Sequence, residues 1–192
     1  MIEILLIFAV IILLAVFSPG FLRQGLRPAL TVAVLASLAS AGRVLMAAIP
    51  SVQPSSFLIM MAGIMFGPGG GLLCGVLVAL LSNLVLGLGP YMPWQLFLWG
   101  AMGLTAGFLR KIPFWAHAGI GFAWGFIFGW GMNLWYYSLG LVPFSIGAFV
   151  SACVMSFPMD IAHAITNMAL MAALAVPIMA LHRRFSLYLP KT

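Results

Sequence analysis

Acidic residues are almost absent from this chain, since only Glu3 and Asp160 among its 192 residues carry a carboxylate side chain. Charged residues of both signs make up 5% of the sequence, and hydrophobic residues make up 65%. A soluble domain of this size cannot bury so much apolar surface in one core. The composition therefore predicts an all-α fold, a polytopic bundle of membrane helices.

Catalytic and metal-binding motifs are also missing. The sequence has no GxxxxGK[ST] loop, no HExxH helix and no GxSxG elbow, and its single Asp excludes an aspartyl dyad within one chain. Cys74 and Cys153 stand alone in apolar sequence, which disfavours a disulfide framework or a zinc site. We expect no enzyme, no cofactor and no metal, but a chain that binds something while a partner supplies the energy.

Apolar segments separated by helix breakers fill most of the chain. The first, residues 2–17, lacks the basic start and the cleavage site of a signal peptide, so we expect it to be retained as a helix. The other predicted helices are 29–49, 55–66, 70–87, 94–109, 115–139 and a stretch 145–181 that Pro158 divides. Segment 55–66 is too short to cross a bilayer, so it must be tilted, re-entrant or buried by its neighbours.

Basic residues cluster at segment ends on one predicted side, which the positive-inside rule identifies as the cytoplasm. They are Arg23, Arg27, Arg110, Lys111, Arg183, Arg184 and Lys191. This arrangement predicts a multi-pass protein of the plasma membrane with a cytoplasmic C-terminus and an N-terminus outside. Because no helix carries a basic face, the net charge of +6 does not indicate nucleic acid.

Three polar residues line one helical stripe of the last apolar segment: Asp160, His163 and Asn167, at positions i, i+3 and i+7. A charge at the centre of a bilayer costs roughly 2.5–3.5 kcal/mol on insertion scales. Arg43, the one basic residue inside an apolar segment, is the expected partner of Asp160. The pair could be a structural ion pair that ties two helices together, or part of a polar ligand pocket.

Polar and aromatic side chains gather at the predicted outer ends of the helices. Together with the stripe they form the candidate substrate-binding set: Gln53, Asn83, Tyr91, Trp94, Gln95, Trp99, Asn133, Tyr136, Asp160, His163 and Asn167. An interfacial aromatic belt would explain the Trp and Tyr residues, but it would not explain the amides beside them. We therefore predict one outward-facing pocket, with the loop that carries Gln53 as its lid.

Small residues recur every fourth position in several segments. Those near Gly67, Gly103 and Gly121 predict internal helix packing. The seam Ala29, Ala33, Ser37 and Ala41 begins at the cytoplasmic end, where a partner protein could dock.

An ordered series of motifs resembles the substrate-binding S component of energy-coupling factor (ECF) vitamin transporters. The motifs are Ala-Gly-Arg43, Ile-Pro-Ser-Val-Gln-Pro54, Ala-Gly-Ile-Met-Phe-Gly-Pro68, Ser-Asn83, Gly-Leu-Gly-Pro-Tyr-Met-Pro-Trp-Gln95 and the run from Pro158 to Ala164, and they cover roughly residues 29–181. The resemblance implies a six-helix core, here residues 23–192, with residues 1–22 as an extra N-terminal transmembrane helix. It also implies a vitamin ligand, docking through the Ala29–Ala41 seam on a transmembrane T component with two ATPase subunits, and a bilayer as surroundings. Ser37 departs from the family's alanines but stays small.

Within that family, the Gly-Pro-x-x-Pro-Trp-Gln run looks most like the cobalamin branch, with Tyr91 and Met92 at the variable positions. Riboflavin or another small vitamin stays an alternative, because aromatic stacking suits any flat ring. A stand-alone facilitator would need a polar path through the cytoplasmic half, which the sequence hardly offers. An intramembrane enzyme would have to use His163 and Asp160.

Overall fold

The computed structural model of the protein describes residues 2–140 and 143–188, with side chains described as far as Arg184. Every regular element in these residues is a helix, as predicted. The seven helices are α1 (Ile2–Leu22), α2 (Leu26–Leu45), α3 (Ser55–Phe66), α4 (Pro68–Leu86), α5 (Met92–Phe108), α6 (Phe114–Ser138) and α7 (Ile146–Tyr188).

Four helices are long and apolar enough to cross a membrane, which agrees with a membrane bundle. They are α1, α2, α4 and α7, the last counted as far as Arg184. Helix α3 has only 12 residues and is almost entirely buried by its neighbours. This burial explains how a helix too short to span a bilayer can lie inside the bundle.

The prediction that Pro158 divides the last segment is wrong. Helix α7 continues through both Pro158 and Pro177, and α1 continues through Pro19. Proline is tolerated inside apolar helices of this kind because neighbouring groups can satisfy the freed carbonyl. Helix α7 is consequently one continuous helix of 43 residues.

Successive helices alternate in direction, so their ends form two layers. We call the layer with the α2–α3, α4–α5 and α6–α7 connections the outer end. At this end Trp94 of α5 bonds to Ser138 of α6. At the opposite, inner end Phe66 contacts both Phe21 and His182. Six basic residues lie within or beside the helix ends of the inner layer: Arg23, Arg27, Arg110, Lys111, Arg183 and Arg184. Lys191 lies outside the described residues.

Glycines let the helices approach closely, as the sequence predicted. The Gly103 carbonyl of α5 occupies the space that a Cβ on Gly63 or Gly71 would need, which holds α3, α4 and α5 in backbone contact. Gly67, at φ +81°, makes the abrupt reversal from α3 to α4. On the other side of the molecule, Gly125 of α6 packs directly on Ala164 of α7.

Helix α1 is attached to this bundle along one narrow face. Val10 packs in a small cluster with Leu72, Val76 and Leu104, and Phe17 contacts Phe108 edge to face. Most other α1 side chains are exposed, as expected for a helix in lipid.

Candidate ligand-binding site

Arg43 organises a polar network at the outer end. Its Nη1 donates to Ser82 Oγ at 2.6 Å and to Asn83 Oδ1 at 2.9 Å, both on α4. The guanidinium carbon lies 4.9 Å from the ring centroid of Trp99 on α5. A cation above an indole face is a favourable contact, so three helices meet at this one side chain.

The prediction of an ion pair between Arg43 and Asp160 is therefore wrong. Asp160 instead accepts a hydrogen bond from Ser156 at 2.8 Å and packs on Gly129 of α6. Within the described residues neither side chain has the other as a partner. The reason is topological, because α4 and α5 hold the guanidinium while the α6–α7 packing encloses the carboxylate.

The arginine also fixes the orientation of the neighbouring amides. Arginine has only donors, so Asn83 must turn its oxygen towards Arg43. Its nitrogen then donates to Gln95 Oε1 at 2.6 Å. Ser82 passes its own hydrogen to the Val78 carbonyl at 2.6 Å. Asn83 and Ser82 are fully buried, and Gln95 is nearly so.

A column of three aromatic rings in contact links this network to His163 on α7. Trp99 lies parallel to Phe128 with ring centroids 5.2 Å apart, and Phe128 meets the His163 ring edge to face at 5.4 Å. His163 Nε2 in turn lies 2.7 Å from the Ser56 hydroxyl of α3. The column passes through the core of the outer half and joins α3, α5, α6 and α7.

A second polar group surrounds Asp160 between α6 and α7. Asn133 donates to Ser156 Oγ at 2.9 Å and lies 3.8 Å from Cys153 Sγ. Ser156 in turn donates to Asp160. Cys153 and Cys74 are both free thiols. This group and the Arg43 network are separate clusters, because this one lies between α6 and α7 whereas the Arg43 network joins α2, α4 and α5.

Aromatic residues cover the outer rim. The Tyr91 hydroxyl donates to the Gly87 carbonyl at 2.8 Å, and its ring meets Trp135, which packs on Tyr136. Trp94 Nε1 donates to Ser138 Oγ at 3.2 Å, and Ser138 also donates to Glu3 of α1. Helix α1 thus reaches the predicted site through Glu3.

Two predicted residues lie apart from these clusters. Gln53 is half-buried in the α2–α3 loop, and its side chain makes no hydrogen bond within the described residues. Its role as a lid stays a prediction. Asn167 donates to the Gly121 carbonyl at 3.1 Å, towards the inner half of the α6–α7 interface. Its separation from Asp160 is two helical turns, about 10 Å along the axis, so sharing a stripe does not place it at the same depth.

An apolar cavity of about 570 Å³ opens between α6 and α7. It is lined by Trp130, Phe149, Val150, Cys153, Val154 and Phe157. None of these belongs to the predicted substrate-binding set, although Cys153 touches Asn133. The described residues hold no group of three or more His, Cys, Asp or Glu side chains arranged for a metal.

Sequence reasoning missed the partners that complete each cluster. Ser82, Ser56 and Phe128 each hold a predicted residue in place. Ser82 could have been found, because it directly precedes Asn83 in the Ser-Asn motif. Ser56 and Phe128 carry no such signal, since only the packing of α3 and α6 brings them to His163.

The α2 seam lies largely on the outside of the bundle. Ala33, Ser37 and Ala41 are exposed and Ala29 is half-buried, whereas Val32, Ala36 and Ala39 of the same helix face the core. No described protein family, no curated protein and no solved structure matches the chain. The resemblance to ECF S components therefore rests on the motifs themselves.

Proposed function

We propose that this protein is the substrate-specificity subunit of an ECF-type importer, which captures a vitamin at its outer end. One observation supports this above the others. Arg43, Asn83 and Gln95 come from three separate motifs of the resemblance, yet together with Trp99 they form one contact network at one end of the bundle. Cobalamin is the first candidate ligand, and riboflavin or another small vitamin is the alternative.

Transport would require a motor, since the sequence has no ATPase motif. We propose a T component with two ATPases as that motor and the exposed seam of α2 as its docking face. Small side chains on an exposed helix let a partner helix approach closely, which supports this assignment. The proposed setting is the plasma membrane, with the outer end facing out and the basic inner end facing the cytoplasm.

An intramembrane enzyme is the competing function from another class, and the contact between Ser56 and His163 is the observation in its favour. A hydroxyl beside an imidazole can act as a nucleophile with its base. A third group normally orients the base, but Asp160 bonds to Ser156 instead of His163. Mass spectrometry of the bound molecule separates the two functions, because a binding subunit releases its ligand chemically unchanged.

The test of the binding function is calorimetry of the purified protein with cobalamin and with riboflavin. Trp94→Ala removes a half-buried ring from the outer rim. We expect a loss of about 1 kcal/mol, or about fivefold weaker binding, as for a typical aromatic contact. Trp115→Ala is the matched control, because Trp115 is 78% exposed near the inner end of α6.

Affinity of Trp94→Ala equal to that of the unmodified protein would assign the outer rings to an interfacial belt. Absence of binding of either vitamin to the unmodified protein would reject both as ligands.

A further inference from the structure

The Arg43 network carries a positive charge with neutral partners only. Its contacts are a hydroxyl, an amide oxygen and an indole face. The two acidic side chains of the chain are engaged elsewhere, Glu3 with Ser138 and Asp160 with Ser156. A half-buried cation in an apolar bundle is costly unless a counter-charge reaches it.

The polar groups left over in this network are donors. Arg43 makes its bonds through Nη1 alone, so Nη2 and Nε have no partner in the described residues. The Gln95 amide oxygen accepts from Asn83, which leaves Gln95 Nε2 without an acceptor. Trp99 Nε1 is buried and equally without a partner. By contrast, the oxygens of Ser82, Asn83 and Gln95 each already accept a hydrogen bond.

This imbalance follows from the arginine itself. Because arginine cannot accept, it turns the Asn83 oxygen towards itself, and the Asn83 nitrogen then claims the Gln95 oxygen. In this chain of hydrogen bonds each amide oxygen accepts from the preceding residue, so the donor that remains unpaired at the end is Gln95 Nε2. The guanidinium carbon also lies 4.9 Å from the Trp99 ring centroid, and the planar fork of an arginine suits two-point contact with an oxyanion.

We infer that Arg43 and Gln95 form an oxyanion subsite for a carboxylate or phosphate group of the captured ligand. The inference deepens the proposed function, and rests on it in taking the outer end to be the ligand-binding end. It favours ligands that carry such a group, for example cobalamin with its phosphodiester, over neutral ones such as riboflavin. A phospholipid headgroup has the same chemistry from another source, and the experiment separates the two.

The first arm measures the melting temperature of the delipidated protein in neutral detergent, with inorganic phosphate against chloride at equal ionic strength. We expect phosphate at about 0.1 M to raise the melting temperature by about 2 °C or more, as ligand linkage predicts for millimolar affinity. Arg43→Gln should abolish the rise, and Arg110→Gln, which removes a cation at the inner end, should keep it. Absence of the rise in the unmodified protein, or its persistence in Arg43→Gln, overturns the inference.

Two further variants keep the test decisive where Arg43→Gln fails to fold. Arg43→Lys retains the charge without the planar fork, so the rise should shrink. Gln95→Glu supplies an internal counter-ion, so the protein should melt higher without phosphate and respond less to it. A full phosphate response in Gln95→Glu contradicts the subsite. A response to short-chain phosphatidylglycerol without one to inorganic phosphate assigns the site to lipid and overturns the ligand assignment.

The second arm compares cobalamin with cobinamide, which lacks the phosphodiester, by calorimetry. Arg43→Gln should weaken cobalamin binding about tenfold or more, as for a charged hydrogen bond, and cobinamide binding less than about threefold. Equal losses for both ligands overturn the inference. Vitamin binding without a phosphate response leaves the proposed function standing and rejects the subsite, whereas the reverse result keeps the subsite and rejects the vitamin.

Discussion

Asp160 is a carboxylate that is only 4% exposed and has a neutral hydrogen-bond partner, Ser156. A buried ion pair that loses one member costs about 3–5 kcal/mol. No such pair holds Asp160 here, so Asp160→Asn should change the free energy of unfolding by less than about 1 kcal/mol or should stabilise the protein, because it keeps the hydrogen-bonding shape and removes a charge. Denaturant unfolding in detergent measures this, with Asp160→Ala as the control that also loses the contact with Ser156.

The double variant Arg43→Gln with Asp160→Asn tests directly whether Arg43 and Asp160 interact. The two single effects should add, because the residues lie in separate clusters. A coupling free energy of about 2 kcal/mol or more between the two substitutions would indicate the ion pair that the sequence predicted.

At the residue scale, sequence reasoning selected polar positions better than it selected their partners. A polar side chain in an apolar segment stands out by composition alone, and Asn83, Gln95 and Asp160 are all buried. Helical periodicity places Asp160 and Asn167 on the same face of α7, but it does not place them at the same height along the helix. Asn167 therefore bonds to Gly121 and does not join the cluster around Asp160. The choice of Ser82 over Asp160 as the partner of Arg43 depends on which helices become neighbours, and spacing along one chain does not contain that information.

At the scale of the helices, the crossing of α4 and α5 depends on two glycines in backbone contact. A Cβ on Gly103 would collide with the backbone of Gly71, including its Cα at 2.9 Å. Gly103→Ala should therefore force the helices apart and lower stability by about 1–3 kcal/mol, the usual cost of overpacking. Gly119→Ala is the matched control, because nothing lies within 4 Å of its added Cβ.

The control should be neutral or slightly stabilising, since alanine favours a helix over glycine by about 0.5–1 kcal/mol. Thermal melting of both variants in the same detergent gives the comparison. If Gly103→Ala and Gly119→Ala have the same melting temperature, the α4–α5 contact tolerates separation of the helices. The close contact between Gly103 and Gly71 is then not required for stability.

Helix positions followed from the sequence more closely than helix continuity did. The bounds of the short helix, 55–66, were predicted as the structure has them, because Pro54 and Gly67 mark both ends. The break at Pro158 was wrong, because a helix inside an apolar bundle can continue through a proline when neighbouring groups satisfy the freed carbonyl. Proline and glycine in the sequence therefore mark positions where a helix can end, but the sequence does not show whether the helix ends there or continues through the proline.

For the whole molecule, composition was sufficient to predict a membrane bundle, since so apolar a chain has no soluble alternative. The topology of α6 and α7 beside a tighter group of α2 to α5, with α1 against α4 and α5, was beyond the reach of composition. It depends on the matching of glycine seams between helices that are distant in the chain. The direction of the bundle in the membrane stays a prediction from the basic inner end.

The exposed seam of α2 allows a test of the proposed docking face. Ala33→Trp adds bulk to an exposed position whose side chain does not contact the outer-end clusters. We expect it to abolish vitamin uptake in cells and to leave vitamin binding by the isolated subunit unchanged, because a large ring prevents close approach of a partner helix. Val176→Trp is the control, since Val176 is 55% exposed on a different helix, towards the inner end of α7. Loss of binding together with uptake would place Ala33 in the internal packing, and full uptake in Ala33→Trp would mean that any motor docks on another face.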